Sequence, residues 1–196
     1  ENSKPGANWA TRHRARFCAE NMDLFISTCK VATKELIRGS FCYSGEVMEV
    51  GMPRNDFLVR GELTKAEKAV REYYHLDAQT KIVLYAPTYR YGSKEVVLDA
   101  KWLIKMLEEK GEKWVFLYRA HRYQDEKMKI HVIGNDVRNA SEYPDMQELL
   151  AAADMMITDY SSNIWDYSFL NRPCFLYTPD LDEYLEKTGF YVDIHE

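Results

Sequence analysis

The sequence predicts an α/β protein: a doubly wound parallel sheet with a remnant of a preceding α/β unit. Two observations lead there. From Asp23 onward, short apolar runs alternate with segments of helical periodicity, the order expected of parallel α/β layering. Three of the apolar runs, "KIVLYA" (81–86), "KWVFLY" (113–118) and "DMMIT" (154–158), also pass straight into polar residues at their carboxyl ends. A chain of 196 residues holds one such domain and part of a second.

The elements follow in order. "DLFISTC" (23–29) reads as a strand, and "KVATKELIR" (30–38) as a helix stopped by Gly39. "EVMEV" (46–50) is a strand closed by Gly51 and Pro53, and the chain changes character at "GMPRND" (51–56). Residues 1–56 are therefore expected to be the tail of one unit and a linker, and 57–196 a second unit. In "LTKAEKAVREYY", Thr64 and Glu67 have capping-box spacing. After strand 81–86 a loop leads to a helix over 99–110, with Trp102, Leu103, Met106 and Leu107 on one face and Gly111 as terminator. Strand 113–118 and a short strand at "KIHVI" (129–133) follow. "DMQELLAAA" is a helix capped by Asp145, with Glu148 three residues on. Strand 154–158, a helix over 162–170, strand "CFLY" (174–177) and helix "DLDEYLEK" (180–187) complete the series, with no internal repeat.

Composition narrows the function. With 46% hydrophobic and 29% charged residues, the chain reads as soluble and globular. Its apolar runs are too short to span a bilayer, and no secretory leader pattern opens it. A net charge of -5 argues against general nucleic-acid binding, which needs a positive surface. Cys18, Cys29, Cys42 and Cys174 have no CxxC spacing and lie in or beside apolar runs. They read as reduced core or half-buried thiols, in keeping with a cytoplasmic protein. The Asn139-Ala140-Ser141 sequon carries no weight without a secretory context.

Ligands of open parallel sheets collect beyond the carboxyl ends of the strands. There, "PTYR" supplies Thr88 and Arg90, "RAHR" supplies Arg119, His121 and Arg122, and "ITDYSS" supplies Asp159, Ser161 and Ser162. Cations and hydroxyls gathered at one edge of an acidic protein indicate an anion, and phosphate is the economical choice. The start of helix 162–170 would add N–H donors, and Arg90 a planar fork. Plainer readings stand beside each: a serine N-cap, solvated loop arginines, an ordinary histidine. Asp166 could orient a hydroxyl or ribose, or pair with Arg172. "DLD" (180–182) resembles a metal-binding DxD pair, but Asp180 and Glu183 also have capping-box spacing; no metal or other cofactor is expected. The basic "RHRAR" (12–16) reads as a solvated helix face, with contact to anionic lipid or a polyphosphate chain as the alternative.

These motifs carry a family likeness. "GMPRND", "VLYAPTYR" (83–90), "YRAH" (118–121), "YPDMQELLAAADMMITDYSSNIWDYSFLNRPCFLY" (143–177) and "GFYVDI" (189–194) resemble the C-terminal part of the CDP-glycerol glycerophosphotransferases, the teichoic acid primases and polymerases. The resemblance implies a Rossmann-like, GT-B C-terminal domain binding a CDP-glycerol or related CDP-polyol donor. Its pyrophosphate would lie between Arg90, His121 and the Ser161–Ser162 turn, and its cytidine near 133–146. Thr88, Arg119, Asp159 and Asp166 complete the expected substrate contacts. His121 is the expected catalytic group, donating a proton to the leaving phosphate. A polyol-phosphate or lipid-linked acceptor would be extended, with the full-length enzyme cytoplasmic or peripheral at the inner face of the plasma membrane.

One departure stands out: the family's catalytic base lies in a His-Gly-Thr-x-x-Lys element that this sequence lacks. His13, His75, His131 and His195 have no such context. The helix expected to return after "GFYVDI" is missing too, so a fragment able to hold nucleotide but not to turn over is expected. A nucleotide-sugar glycosyltransferase, a UDP-sugar 2-epimerase and a flavodoxin-like interaction domain are the alternatives.

Overall fold

The computed structural model describes residues 9–61, 63–88, 96–120, 130–133 and 137–190, with 9–12 and 130–133 as backbone. The chain divides into two compact units: one takes the residues up to Pro53 together with those from Leu181 onward, the other Arg54–Asp180. The sequence pattern puts the join at 56 and everything after it in the second unit; the clustering of the C-terminal helix with the first unit is a feature that local pattern does not encode.

In the first unit, helix α1 (Trp9–Glu20) precedes strand β1 (Leu24–Ser27), which pairs in parallel with β2 (Glu46–Glu49). Ile37 and Tyr43 are buried against Phe25 and Val47. The segment between the strands is a π-helix, Ala32–Ser40, whose five-residue reach shows in the bond from the Phe41 N–H to the Leu36 carbonyl at 2.9 Å. It runs through Gly39, the expected stop. The left-handed residue that ends it is Cys42, with φ of 55°. The unit buries few side chains, so Cys18, Cys29 and Cys42 are exposed rather than half-buried, while Cys174 in the second unit is partly covered; all four are free thiols. A glycine is required at Gly51, where φ is +84°. A 3₁₀ turn, Pro53–Asn55, then leads into the second unit, and a later helix, Leu181–Lys187, belongs to the first.

The second unit opens with α2 (Asp56–Arg60) and α3 (Leu63–Tyr73). Helix α3 begins at Leu63, two residues earlier than the capping box requires, and Glu67 accepts from Arg71 at 2.9 Å. Strand β3 (Lys81–Tyr85) is followed by β4 (Val96–Asp99), α4 (Ala100–Glu108), β5 (Trp114–Tyr118), β6 (Ile130–Ile133) and β7 (Val137–Asn139). Helix α5 (Met146–Ala152), β8 (Met155–Thr158), α6 (Asn163–Ser168) and β9 (Cys174–Leu176) finish it; the first unit's Leu181–Lys187 is α7. Asp99 caps α4 by accepting from the Trp102 N–H at 2.8 Å, and Asp145 caps α5 by accepting from Gln147 at 2.7 Å. Glu148 does not close a capping box but accepts from the Tyr143 hydroxyl at 2.6 Å.

Five strands form one parallel sheet in the order β7-β5-β3-β8-β9, and β4 pairs with β6 in a separate two-stranded sheet. Successive residues of β3 face opposite sides: Ile82 and Leu84 pack with α3 and α5, Val83 and Tyr85 with α4 and β4. Both faces are thus covered, as a parallel sheet requires. Each fully buried aliphatic side chain contributes about 1.5–3 kcal/mol. The chain leaves β3 toward β5 and β7 on one side and returns to β8 and β9 on the other. The carboxyl ends of β3 and β8 therefore form the topological switch point, where a crevice opens in sheets of this kind.

Three tyrosines make stability sensitive to alkali. Burial pushes the Tyr74 hydroxyl up to about 12, and Tyr143 and Tyr167 are also raised by burial, Tyr143 further by the Glu148 carboxylate. The folded state holds these protons more tightly than the unfolded chain, whose tyrosines titrate near 10.0. Their contribution is complete below that pH and lost as pH rises through the folded values. The melting temperature is expected to fall from about pH 10 upward, with Tyr74→Phe and Tyr143→Phe flattening the decline; thermal melts across that range test it.

Candidate functional site

At the switch point the backbone of β3 stays zipped to β8 past the strand ends. The Ala86 N–H donates to the Ile157 carbonyl at 3.1 Å, and the buried Thr158 hydroxyl donates to the Ala86 carbonyl at 2.9 Å. Pro87 next turns the chain with no N–H to satisfy. The Thr88 N–H meets both carboxylate oxygens of Asp159, at 2.8 and 3.0 Å, and the Tyr160 N–H also donates to that carboxylate. Asp159 is only 4% exposed. Its charge is directed at backbone N–H groups, which makes it the tie between two exits from the sheet rather than a free anion facing a ligand.

The structure thus brings Thr88, Asp159, Ser161 and Ser162 together at one point. Ser161 is half-buried and Ser162 exposed. Ser162 sits at the N-cap position of α6, but its backbone is helical and its side chain makes no capping bond; the Ser161 hydroxyl instead accepts from the Asn163 N–H at 3.4 Å. The plain reading of Ser162 as a cap is therefore set aside. Helix α6 has six residues, not nine, so its macrodipole is small and any anion here would depend on local N–H and hydroxyl donors. The Tyr160 hydroxyl donates to Asp180 at 2.9 Å; Asp180 is buried and directly precedes α7, and Glu183 pairs with Lys187. Among the described residues no cluster of His, Cys, Asp or Glu is arranged to hold a metal ion.

Arg119 and Asp166 sit differently from expectation. One terminal nitrogen of Arg119 donates to the carbonyls of Ala140 and Tyr143, at 3.0 and 2.7 Å, fastening the exit of β5 to the loop before α5. Burial lowers its affinity for the proton, although an arginine stays charged. Asp166 is buried and paired with Arg54, Nε at 2.8 Å and Nη2 at 3.2 Å, with the Gln147 side chain 3.4 Å from the same carboxylate. It is not paired with Arg172, which donates to the carbonyls of Ala151 and Ala153, each at 2.7 Å. Reading the sequence alone misses Arg54 as a partner; its place in the quoted "GMPRND" is the one signal it carries. Arg90, His121 and Arg122 lie outside the described residues. Arg90 follows the anchored Thr88 by two positions, and His121 follows Ala120, whose N–H donates to the Ser141 hydroxyl at 3.0 Å.

A doubly wound parallel sheet with donors and hydroxyls at its switch point defines an α/β protein of the GT-B kind. Residues 1–196 match the family described as CDP-Glycerol:Poly(glycerophosphate) glycerophosphotransferase, and the chain belongs to it. Among curated relatives, the teichoic acid poly(glycerol phosphate) polymerase of Bacillus subtilis is 30% identical over 98% of this chain and 26% of its own length. The Staphylococcus epidermidis polymerase of the same name is 33% identical over 89% and 25%. The teichoic acid poly(ribitol-phosphate) polymerase of Bacillus spizizenii is 32% identical over 75% and 25%. Among solved structures, the wall teichoic acid polymerase TagF superposes with a TM-score of 0.72 at 29% identity, over 98% of this chain and 46% of that one, in a variant soaked with CDPG. The chain thus spans about a quarter to a half of the length of these relatives.

Proposed function

We propose that this chain is the donor-binding portion of a glycerophosphotransferase that takes glycerol phosphate from CDP-glycerol and passes it to a polyol-phosphate acceptor in teichoic acid or related polymer synthesis. The observation that carries the reading is the convergence of Thr88, Asp159, Ser161 and Ser162 at the switch point of the sheet. The diphosphate binds there, between the Ser161–Ser162 turn, Arg90 and His121, where hydroxyls, N–H groups and two cationic side chains offset its charge. An acceptor hydroxyl attacks the phosphorus of the glycerol phosphate, a new P–O bond forms, and the bond to the bridging oxygen breaks to release CMP. Charge builds on the departing phosphate, so donors held in place before the reaction act where stabilisation is needed. His121 hydrogen-bonds that leaving group and supplies its proton. The His-Gly-Thr-x-x-Lys element that the family resemblance links to the base is not found in these 196 residues. Among the described residues no helix is long and apolar enough to cross a membrane. The whole enzyme extends a polyol-phosphate or lipid-linked acceptor, in the cytoplasm or at the inner face of the plasma membrane.

CDP-ribitol is the second donor to weigh, because a poly(ribitol-phosphate) polymerase is among the relatives. Calorimetric titration with CDP-glycerol, CDP-ribitol, CDP, UDP and UDP-GlcNAc tests the reading. Cytidine nucleotides are expected to bind about tenfold or more tighter than uridine ones, because a site that hydrogen-bonds the cytosine amino group leaves its own buried acceptor unpaired against uracil. Equal, weak heats for every ligand would contradict the donor reading, and preference for UDP-GlcNAc would favour a nucleotide-sugar enzyme.

A further inference from the structure

Helix α6 carries the serine turn, yet little in its own sequence fixes it. Six residues are too few for a helix to be stable by itself, and Ser162 supplies no side-chain cap. Trp165 and Phe169 are exposed, 70% and 54%, so they do not seat it either. Two side chains do. Tyr167 is fully buried and its hydroxyl donates to the Ala153 carbonyl at 3.0 Å. Asp166, adjacent, is gripped by Arg54 through two bonds.

The Arg54 grip is directional. A guanidinium fork meeting both carboxylate oxygens fixes angle as well as distance. Arg54 itself starts at the 3₁₀ turn Pro53–Asn55, and that turn runs into α2, whose Leu58 is buried in the core shared with α5. Gln147, in the first turn of α5, turns its amide N–H₂ toward Asp166, and its carbonyl oxygen is left buried without a partner among the described residues. The buried carboxylate therefore organises its neighbours even where that leaves an acceptor unsatisfied.

We propose that Arg54 is a positioning residue of the donor site: through Asp166 it fixes the start of α6 and so holds the Ser161–Ser162 turn in place for the diphosphate. The inference rests on the donor-site reading above. Arg54 does not touch the ligand; it acts through Asp166 and the single helical turn between Asp166 and Ser162.

The test uses the full chain with Arg54→Lys, which keeps charge and loses the fork, and with the double change Arg54→Met and Asp166→Leu, which leaves no buried charge unpaired. Circular dichroism melts set a temperature at which each variant is folded. Amide hydrogen exchange at residues 161–164 is expected to rise about tenfold in both variants while β3 and β8 stay protected, since local opening is independent of global unfolding. CDP-glycerol affinity of the folded double variant is expected to fall about tenfold, with Arg54→Lys intermediate, since a turn displaced from the diphosphate loses a hydrogen bond to a charged group. A purely structural ion pair would lower the melting temperature and leave the affinity of the folded protein unchanged. Unchanged exchange at 161–164, or faster exchange with unchanged affinity, overturns the role of Arg54. An unmodified chain that binds no CDP-glycerol overturns the donor reading instead, and the exchange measurement still decides whether Arg54 holds the turn.

Discussion

Asp159→Ala is expected to produce the largest combined loss of stability and donor binding. The carboxylate is almost fully buried and accepts from the N–H groups of Thr88 and Tyr160, so truncation leaves two donors at a covered strand exit without their acceptor. Hydrogen bonds to a charged group and the desolvation of orphaned donors together put the loss at roughly 2–4 kcal/mol. A domain of this size loses about 2–4 °C of melting temperature per kcal/mol, so a drop of about 5–15 °C is expected in a thermal melt. Binding falls as well, because Thr88 lies two positions before Arg90 and its anchor fixes where the chain leaves the sheet. Asp159→Asn is the milder companion: its amide keeps one acceptor oxygen but sets an N–H₂ group against backbone donors. If Asp159→Ala unfolded at the wild-type temperature, the carboxylate would not be what ties the two exits together.

Arg90→Ala is expected to act on binding with little effect on stability. A charge-assisted bond from a guanidinium to a phosphate contributes about 1.5–3 kcal/mol, which corresponds to a rise in the dissociation constant of CDP-glycerol of about 10–150-fold. Arg90→Lys restores the charge without the planar fork and is expected to fall between. His121→Ala is expected to weaken binding less, and in the complete enzyme to lower kcat more than it raises KM, since its proton is needed as the leaving group departs. Calorimetry on the single variants measures the first two effects. An Arg90→Ala chain with wild-type affinity would remove the arginine from the site.

The contrast between these two residues and their neighbours shows what a sequence conveys. The three strands that place the site, near 81–86, 113–118 and 154–158, announce themselves as apolar runs, and Asp145 and Gly111 mark helix ends by local chemistry. Those signals span only a few residues. Strand β4 falls in the expected loop because its partner β6 lies more than thirty residues later, and β7, "VRN", has no apolar pattern at all. The pairing of Arg54 with Asp166 joins residues 112 positions apart, and nothing in either neighbourhood distinguishes that partner from Arg172. The place of Asp159 at a strand exit is legible, but its direction is not: the carboxylate turns into the backbone of Thr88 instead of outward. Ser161 and Ser162 are legible in place, between the end of a buried strand and the start of α6.

The central claim is that a diphosphate is held at the carboxyl ends of β3 and β8. A crystal structure of the chain with CDP-glycerol bound tests it most directly. The account predicts phosphate oxygens within hydrogen-bonding distance of the Ser161–Ser162 turn and of Arg90, with His121 facing the bridging oxygen and Asp166 still joined to Arg54. Diphosphate density elsewhere on the molecule, or the guanidinium, imidazole and serine groups turned away from a common point, would contradict it.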